Sequence, residues 1–186
     1  GDLLTDTALI GRAGLRYAFT DQLSSFFTYS RGYKSGAFDA TLGITSDVLA
    51  GGPVAPETSN AFELGLRGNP FGTPAFFIDL SLFYNSYEDF HVQAFDPSEG
   101  GASALRNAGR TTTRGAELSV NWQPTDGFSL ESAVQYLDAF FEEFVGAPCF
   151  PGQTAAGGCL SSDSGVSFQD LEGQGLPNAP EWKLSI

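Results

Sequence analysis

The sequence predicts an all-β chain, an antiparallel transmembrane β-barrel segment, and three observations carry that expectation. Aromatic and β-branched runs alternate with Gly, Pro, Asp and Asn clusters, without sustained 3.6-residue periodicity. The connections between those runs alternate between short and long. Within the runs, apolar residues alternate with polar ones, and in the central stretches every charge falls on one side.

Strands are predicted over residues 8–19, 23–36, 57–68, 75–95, 104–122 and 128–143, and a seventh starts near 179. The short connections are 20–22, 69–74 and 123–127, where Asn69-Pro70 and Asp126-Gly127 are strong turn dipeptides. The long ones are 38–56, 96–103 and 144–178. Bacterial membrane barrels have this polarity, with tight periplasmic turns and longer outer loops.

The faces sort as a lipid-facing wall requires. Leu9, Ala13, Leu15, Tyr17 and Phe19 oppose Arg12 and Arg16. Phe62, Leu64 and Leu66 oppose Glu63 and Arg67; Ile78, Leu80 and Leu82 oppose Asp79 and Ser81. Leu118 and Val120 oppose Glu117 and Ser119, and Leu130 and Val134 oppose Glu131 and Gln135. A Lys or Arg on the lipid face at mid-bilayer costs roughly 2–4 kcal/mol, so this sorting is obligatory if the apolar side meets lipid. Glu88, Arg114 and Asp138 share the apolar parity but lie toward the long-loop ends, where they must stand above the hydrocarbon. Phe19, Phe71, Phe76, Trp122 and Phe128 crowd the short-turn ends, where an interfacial girdle belongs. A soluble β-sandwich also alternates, but several of these strands run past ten residues against a soluble mode of about 5–6.

Composition narrows the function. Of 186 residues 41% are hydrophobic and 17% charged, with 17 Phe and no Met. No run approaches the ~18 apolar residues of a transmembrane helix, which leaves a strand-built barrel open. A net charge of −13 disfavours nucleic acid. The one His and the absence of CxxC disfavour a zinc site, while Cys149 and Cys159 in a Gly/Ser/Pro-rich segment suit a loop disulfide. No GxSxG, HExxH or P-loop occurs, so neither catalysis nor a cofactor is implied. With Gly1 first and no signal peptide, the chain reads as an excised or mature segment. Single-chain barrels start at about eight strands and must close, so further strands are expected elsewhere.

Four stretches carry a family resemblance. Ser30-Arg31-Gly32-Tyr33-Lys34-Ser35-Gly36-Ala37-Phe38 resembles the "SRGYKSGGF" strand of TonB-dependent receptors. Pro56-Glu57-Thr58 with Phe62-Glu63-Leu64-Gly65-Leu66-Arg67 is similar to their "PET…YELGLK" strand. Asn107-Ala108-Gly109 with Arg114-Gly115-Ala116-Glu117-Leu118 resembles "NAG…RGxEL", and Leu176-Pro177-Asn178-Ala179-Pro180-Glu181-Trp182 resembles "LPNAPKW". All four stand in the family's order; Ala37 and Asp39 depart from its usual Gly and Asn. The resemblance implies a 22-stranded barrel in the outer membrane of a Gram-negative bacterium, plugged by a globular domain that engages the TonB complex. It also implies import of a scarce nutrient, with a ferric siderophore the leading cargo. Plug and remaining strands are expected outside these residues.

Under that implication Tyr87, Asp89, His91 and Gln93, on the extended polar face of the fourth strand, could line a cargo vestibule, or simply form a solvated luminal wall. Lys34 and Phe38, at the same rim, could contact an anionic aromatic chelate or merely end their strand. Arg31, Arg106, Arg110 and Arg114 could meet lipopolysaccharide phosphates or pair with carboxylates. Glu142, Glu143, Asp163, Asp170 and Glu172 match no calcium-loop spacing and read as solvated charge. Arg12, Arg16, Glu63, Arg67, Asp79, Glu117 and Glu131 are expected to face the lumen and to pair with strands and plug outside the sequence. The rival readings are a passive porin-like barrel, a soluble glycan-binding β-sandwich and an outer-membrane enzyme. Charge reversal at Arg16 or Glu117 is expected to impair uptake more than insertion. Heat resistance on gels measured beside uptake checks this; normal uptake with lost insertion would reverse the face assignment.

Overall fold

The structure is a computed structural model describing residues 5–38, 53–96, 102–161 and 167–186, with backbone alone described at 93–96 and 102–104. Six long strands follow one another as an antiparallel meander: β1 (Gly11–Ala18), β2 (Leu23–Lys34), β3 (Glu57–Gly68), β4 (Phe76–Asp96), β5 (Ala102–Thr125) and β6 (Phe128–Glu143). Three short strands follow, β7 (Val145–Pro148), β8 (Leu160–Ser161) and β9 (Ser167–Asp170), and then β10 (Trp182–Ser185). The main sheet has the order β1-β2-β3-β4-β5-β6-β10, and the small one the order β7-β9-β8. No helix among the described residues is long and apolar enough to cross a membrane, which says nothing of strands.

The third and sixth strands begin and end where the alternation and the turn dipeptides put them. The first starts later than expected, at Gly11, whose pair with Arg31 is the last between β1 and β2, although β2 runs on to Lys34. The fifth runs longer, to Thr125, and takes Pro124 into the strand. The proline sits at a register shift between Trp122 and Thr125, where a missing N–H costs no ladder bond. The region 144–178, expected as one loop, contains the small sheet and a 3-10 turn at Ala155–Gly157.

Register turns the one-dimensional alternation into continuous rows. Leu15, Phe27, Leu64, Leu82, Ala116, Tyr136 and Trp182 pair successively across all seven strands. Toward the short turns lie Tyr17, Ser25, Leu66, Leu80, Leu118, Val134 and Leu184. Toward the long loops lie Ala13, Tyr29, Phe62, Tyr84, Arg114 and Asp138. These apolar side chains stand uncovered: Leu64 is 53% and Leu184 72% exposed. The buried cluster of Ala108, Phe141, Phe144 and Ala147 lies at the long-loop end, not beneath the sheet. A soluble sandwich would bury this face under a second layer, with each large side chain contributing about 1.5–3 kcal/mol; none of the described residues forms one.

Two aromatic bands frame the apolar rows. At the short turns Tyr17 meets Phe19, Phe71 meets Phe76 and Trp122 meets Phe128, with ring centroids 5.0, 5.1 and 6.2 Å apart. At the other border Tyr29 packs on Phe62 at 5.0 Å, with Tyr84 paired next to Phe62. From Phe76 to Tyr84 the strand advances about 26 Å at ~3.3 Å per residue, or about 20 Å vertically at a ~40° tilt, comparable to an apolar band ~25 Å tall. Arg114 sits at this upper border and is neutralised there: its Nη2 lies 2.8 Å from Asp138 Oδ2, and its guanidinium stacks 5.4 Å from the Phe140 ring.

On the opposite face Phe26, Phe77 and Phe83 break the alternation, and glycines explain the first and the last. Phe26 pairs with Gly65 and Phe83 with Gly115. A Cβ added at Gly65 would overlap the Phe26 ring, and one at Gly115 would overlap Phe83 and the Tyr136 carbonyl. Each ring therefore lies over a bare stretch of neighbouring backbone and shields it. The outer edges of β1 and β10 remain unpaired by any described strand. In hydrocarbon such edges must be paired by further strands. Leu64→Lys is expected to cost about 2–4 kcal/mol of folding stability in lipid vesicles, whereas Ser81→Lys on the other face leaves the urea midpoint unchanged; the converse would assign lipid to the polar side.

Candidate functional site

The polar face carries a set of charges that the sheet itself partly satisfies. Arg67 Nε donates to Asp79 Oδ2 at 2.8 Å across β3 and β4, and the guanidinium lies 5.9 Å from the Phe26 ring centroid. Gln135 donates to Glu117 Oε1 at 2.8 Å, and Arg16 Nε donates to Ser24 Oγ at 3.1 Å. Glu63 accepts from the Thr28 hydroxyl at 3.4 Å. Arg12 and Glu131 are exposed at the same parity. Arg67 and Asp79 thus pair with each other within the sheet, since cross-strand pairing at one height needs no third element.

At the long-loop end, Lys34, Asp89 and His91 fall in a knot the sequence did not announce. Glu57, the first residue of β3, lies 3.9 Å from Lys34 Nζ and accepts the His91 backbone N–H at 2.9 Å. His91 is 8% exposed, and its Nε2 donates to the Ala55 carbonyl at 2.6 Å. Asn107, opposite His91 in the ladder, accepts from Ala55 N–H at 2.8 Å and donates to the Ala55 and Asp89 carbonyls at 3.0 and 2.7 Å. Its amide therefore acts as a substitute strand partner for Ala55. Asp89 has φ +54°, a left-handed conformation that Asp tolerates better than most residues. Its carbonyl accepts from Asn107 there. Tyr87 is half-buried, its ring 5.5 Å from Phe90. Phe38 is half-buried beside the bridge between Ala37 and Val54. Gln93 pairs with Leu105 through the backbone; its side chain, like Asp39 and Asp163, lies outside the described residues. Just above the aromatic border, burial and then the Asp6 carboxylate raise the Tyr33 phenol above its ordinary pKa, so it stays neutral.

The last long connection is a packed miniature unit. Cys149 and Cys159 are joined by a disulfide. Gln169 donates to the Pro148 carbonyl at 2.7 Å and accepts from Gln153 at 3.0 Å. Phe144 and Ala147 seat the unit on Phe90, Val92 and Ala108. Glu142 and Glu143 are not simply solvated, because Arg110 lies 3.5 and 3.6 Å from their carboxylates, and Thr112 donates to Glu142 at 2.8 Å. Among the described residues no group of three or more His, Cys, Asp or Glu could hold a metal ion. The knot was visible in the sequence only as the quoted Pro56-Glu57-Thr58 and Asn107-Ala108-Gly109 motifs, whose partners lie about fifty positions apart.

A family model described as TonB dependent receptor-like, beta-barrel matches residues 2–186. The fold resembles the ferric yersiniabactin uptake receptor FyuA from Yersinia pestis, with TM-score 0.61 and 20% identity over 94% of this chain and 22% of that one. It also resembles the siderophore receptor PiuA from Acinetobacter baumannii, with TM-score 0.62 and 21% identity over 93% and 22%. A third likeness is the ferric-catecholate import receptor Fiu from K12 E. coli, with TM-score 0.52 and 17% identity over 93% and 21%. The chain spans about a fifth of each of these proteins, and at such identities the likeness is one of fold.

If Asn107 serves to dock the segment before β3, Asn107→Ala speeds hydrogen exchange at the Ala55 amide by at least about tenfold while barrel heat resistance is kept. Hydrogen-exchange mass spectrometry reads this directly, and unchanged exchange at Ala55 would remove the docking role.

Proposed function

The chain belongs to the TonB-dependent receptor-like β-barrel family, and from that membership we propose that it forms part of the wall of an outer-membrane receptor importing a scarce nutrient with energy delivered through TonB. The observation that carries this reading is the uncovered apolar face bounded by two aromatic bands, on a sheet with open edges. Such a sheet is stable in lipid only as part of a closed barrel. Closure is then supplied by strands outside the described sheet, and a plug domain fills the lumen and engages TonB.

In this reading Arg12, Arg16, Glu63 and Glu131 present hydrogen-bonding groups to the plug. The Arg67–Asp79 and Glu117–Gln135 pairs hold the wall's polar surface in register. The exposure of Arg31 and its parity with the apolar face support a contact with a lipopolysaccharide phosphate. A ferric siderophore is the leading cargo because three proteins of like fold are, by their names, receptors for such chelates. Lys34, Phe38, Tyr87, Asp89, His91 and Gln93 belong to the rim past which that cargo enters. The geometry gives Lys34 and His91 a docking task first, since both are engaged by Glu57.

Uptake of radiolabelled ferric siderophores by cells with and without the gene, each with and without TonB, tests the proposal. Loss of uptake in either deletion is expected. Gene-dependent uptake that persists without TonB would instead favour a passive porin-like barrel.

A further inference from the structure

Three consecutive residues of β5, Asn107-Ala108-Gly109, hold two different parts of the outer surface. Asn107 accepts the Ala55 N–H at 2.8 Å and donates to the Ala55 carbonyl at 3.0 Å, so its amide fastens the segment leading into β3. Ala108 is fully buried and packs with Phe141, Phe144 and Ala147, the seat of the disulfide-bonded unit. Gly109 lets the chain entering that unit come close, since a Cβ there would lie 3.1 Å from both the Cγ and the carbonyl oxygen of Glu143.

Across the ladder β4 repeats the arrangement. His91, opposite Asn107, has its Nε2 2.6 Å from the same Ala55 carbonyl, and its backbone N–H donates to Glu57 at 2.9 Å. Phe90, opposite Ala108, packs against the seat of the unit, as does Val92. The chain returning from the unit is tied at the same place: Leu171 N–H donates to the Phe144 carbonyl at 3.1 Å, and Gly173 N–H to the Phe141 carbonyl at 2.8 Å. Residues that fasten one connection are therefore direct chain neighbours of residues that seat the other. Asn107 must align a donor and an acceptor with a single peptide group, and such bonds weaken steeply with misalignment. Baring Ala108, Phe90 and Val92 to water would loosen the backbone that sets this alignment, and local opening runs through contiguous units of this kind.

We propose that Asn107-Ala108-Gly109 is a junction through which the segment before β3 and the disulfide-bonded unit dock, and come away, together. The inference goes beyond the transport reading. It is measured on purified receptor without TonB or cargo, so either can fail without the other.

Hydrogen-exchange mass spectrometry on the intact receptor in detergent micelles tests the coupling from both sides. Ala147→Asp sets a carboxylate in the apolar seat, where burial without a partner is costly, and so unseats the unit. It is expected to speed exchange at the Ala55 amide by at least about fivefold, the lower end of couplings between sites. Ala55→Pro removes the N–H that Asn107 accepts and, because coupling is reciprocal, is expected to speed exchange at Leu171 and Gly173. Val145→Ala trims a side chain of the unit that is 65% exposed and is expected to change none of these amides. Heat resistance on gels is expected to be kept in all three. Should Ala147→Asp lose it, Phe144→Ala, which only removes a ring from the seat, takes its place in the same comparison. Exchange at Ala55 that ignores the unseated unit, exchange at Leu171 and Gly173 that ignores Ala55→Pro, or acceleration by Val145→Ala as large as by the seat variant would each overturn the proposal.

Discussion

Hydrocarbon offers no hydrogen-bond partners, and the rest of this molecule follows from that. A segment crossing a bilayer must pair its backbone groups with itself or with a neighbour. Here every long strand is laddered to the next in register, and the side chains that result on one face are almost wholly apolar across the central rows. None of the described residues forms a second layer against the face, so its favourable environment is lipid. The small buried cluster at the long-loop end could not stabilise a water-soluble sheet of this breadth.

The opposite face follows a different rule. It carries paired charges, short polar side chains and two phenyl rings laid over Gly65 and Gly115. Glycine there removes the clash with a neighbouring ring, and the ring in turn shields the exposed backbone. Above the bilayer the wall continues in β4 and β5, and the chain uses them as a scaffold. Asn107, His91 and Glu57 fasten the segment before β3 to them, and the disulfide-bonded unit packs on Phe90, Val92 and Ala108. The same extended strands therefore serve first as membrane wall and then as a platform for loops.

Much of this was legible before any coordinates, and the reason is local. The limits of β3 and β6 could be read because strict alternation runs up to strong turn signals, as at Asn69-Pro70 and Asp126-Gly127. Parity alone separated Arg67, Asp79 and Glu117 from the apolar rows. What escaped was non-local or too short to show a period. The strands β7, β8 and β9 are two to four residues each, held by a disulfide and by contacts with distant rings. The tie between Ala55 and Asn107 spans 52 positions. That Arg67 meets Asp79 required the register, which parity does not supply. His91 stood out as the single histidine, but its task of receiving the chain at Ala55 depends on where the preceding loop returns.

The central claim is that the Leu64 row touches lipid. Nitroxide labels on single cysteines at Leu64→Cys, Leu82→Cys and Leu118→Cys, and at Glu63→Cys, Ser81→Cys and Glu117→Cys, measure it in the reconstituted receptor. Collision with oxygen, which concentrates in hydrocarbon, is expected to dominate at the first three sites. Collision with a water-soluble nickel chelate should dominate at the second three, or both should be low where a plug covers them. Oxygen accessibility that is equal on the two faces, or higher at positions 63, 81 and 117, would contradict the account.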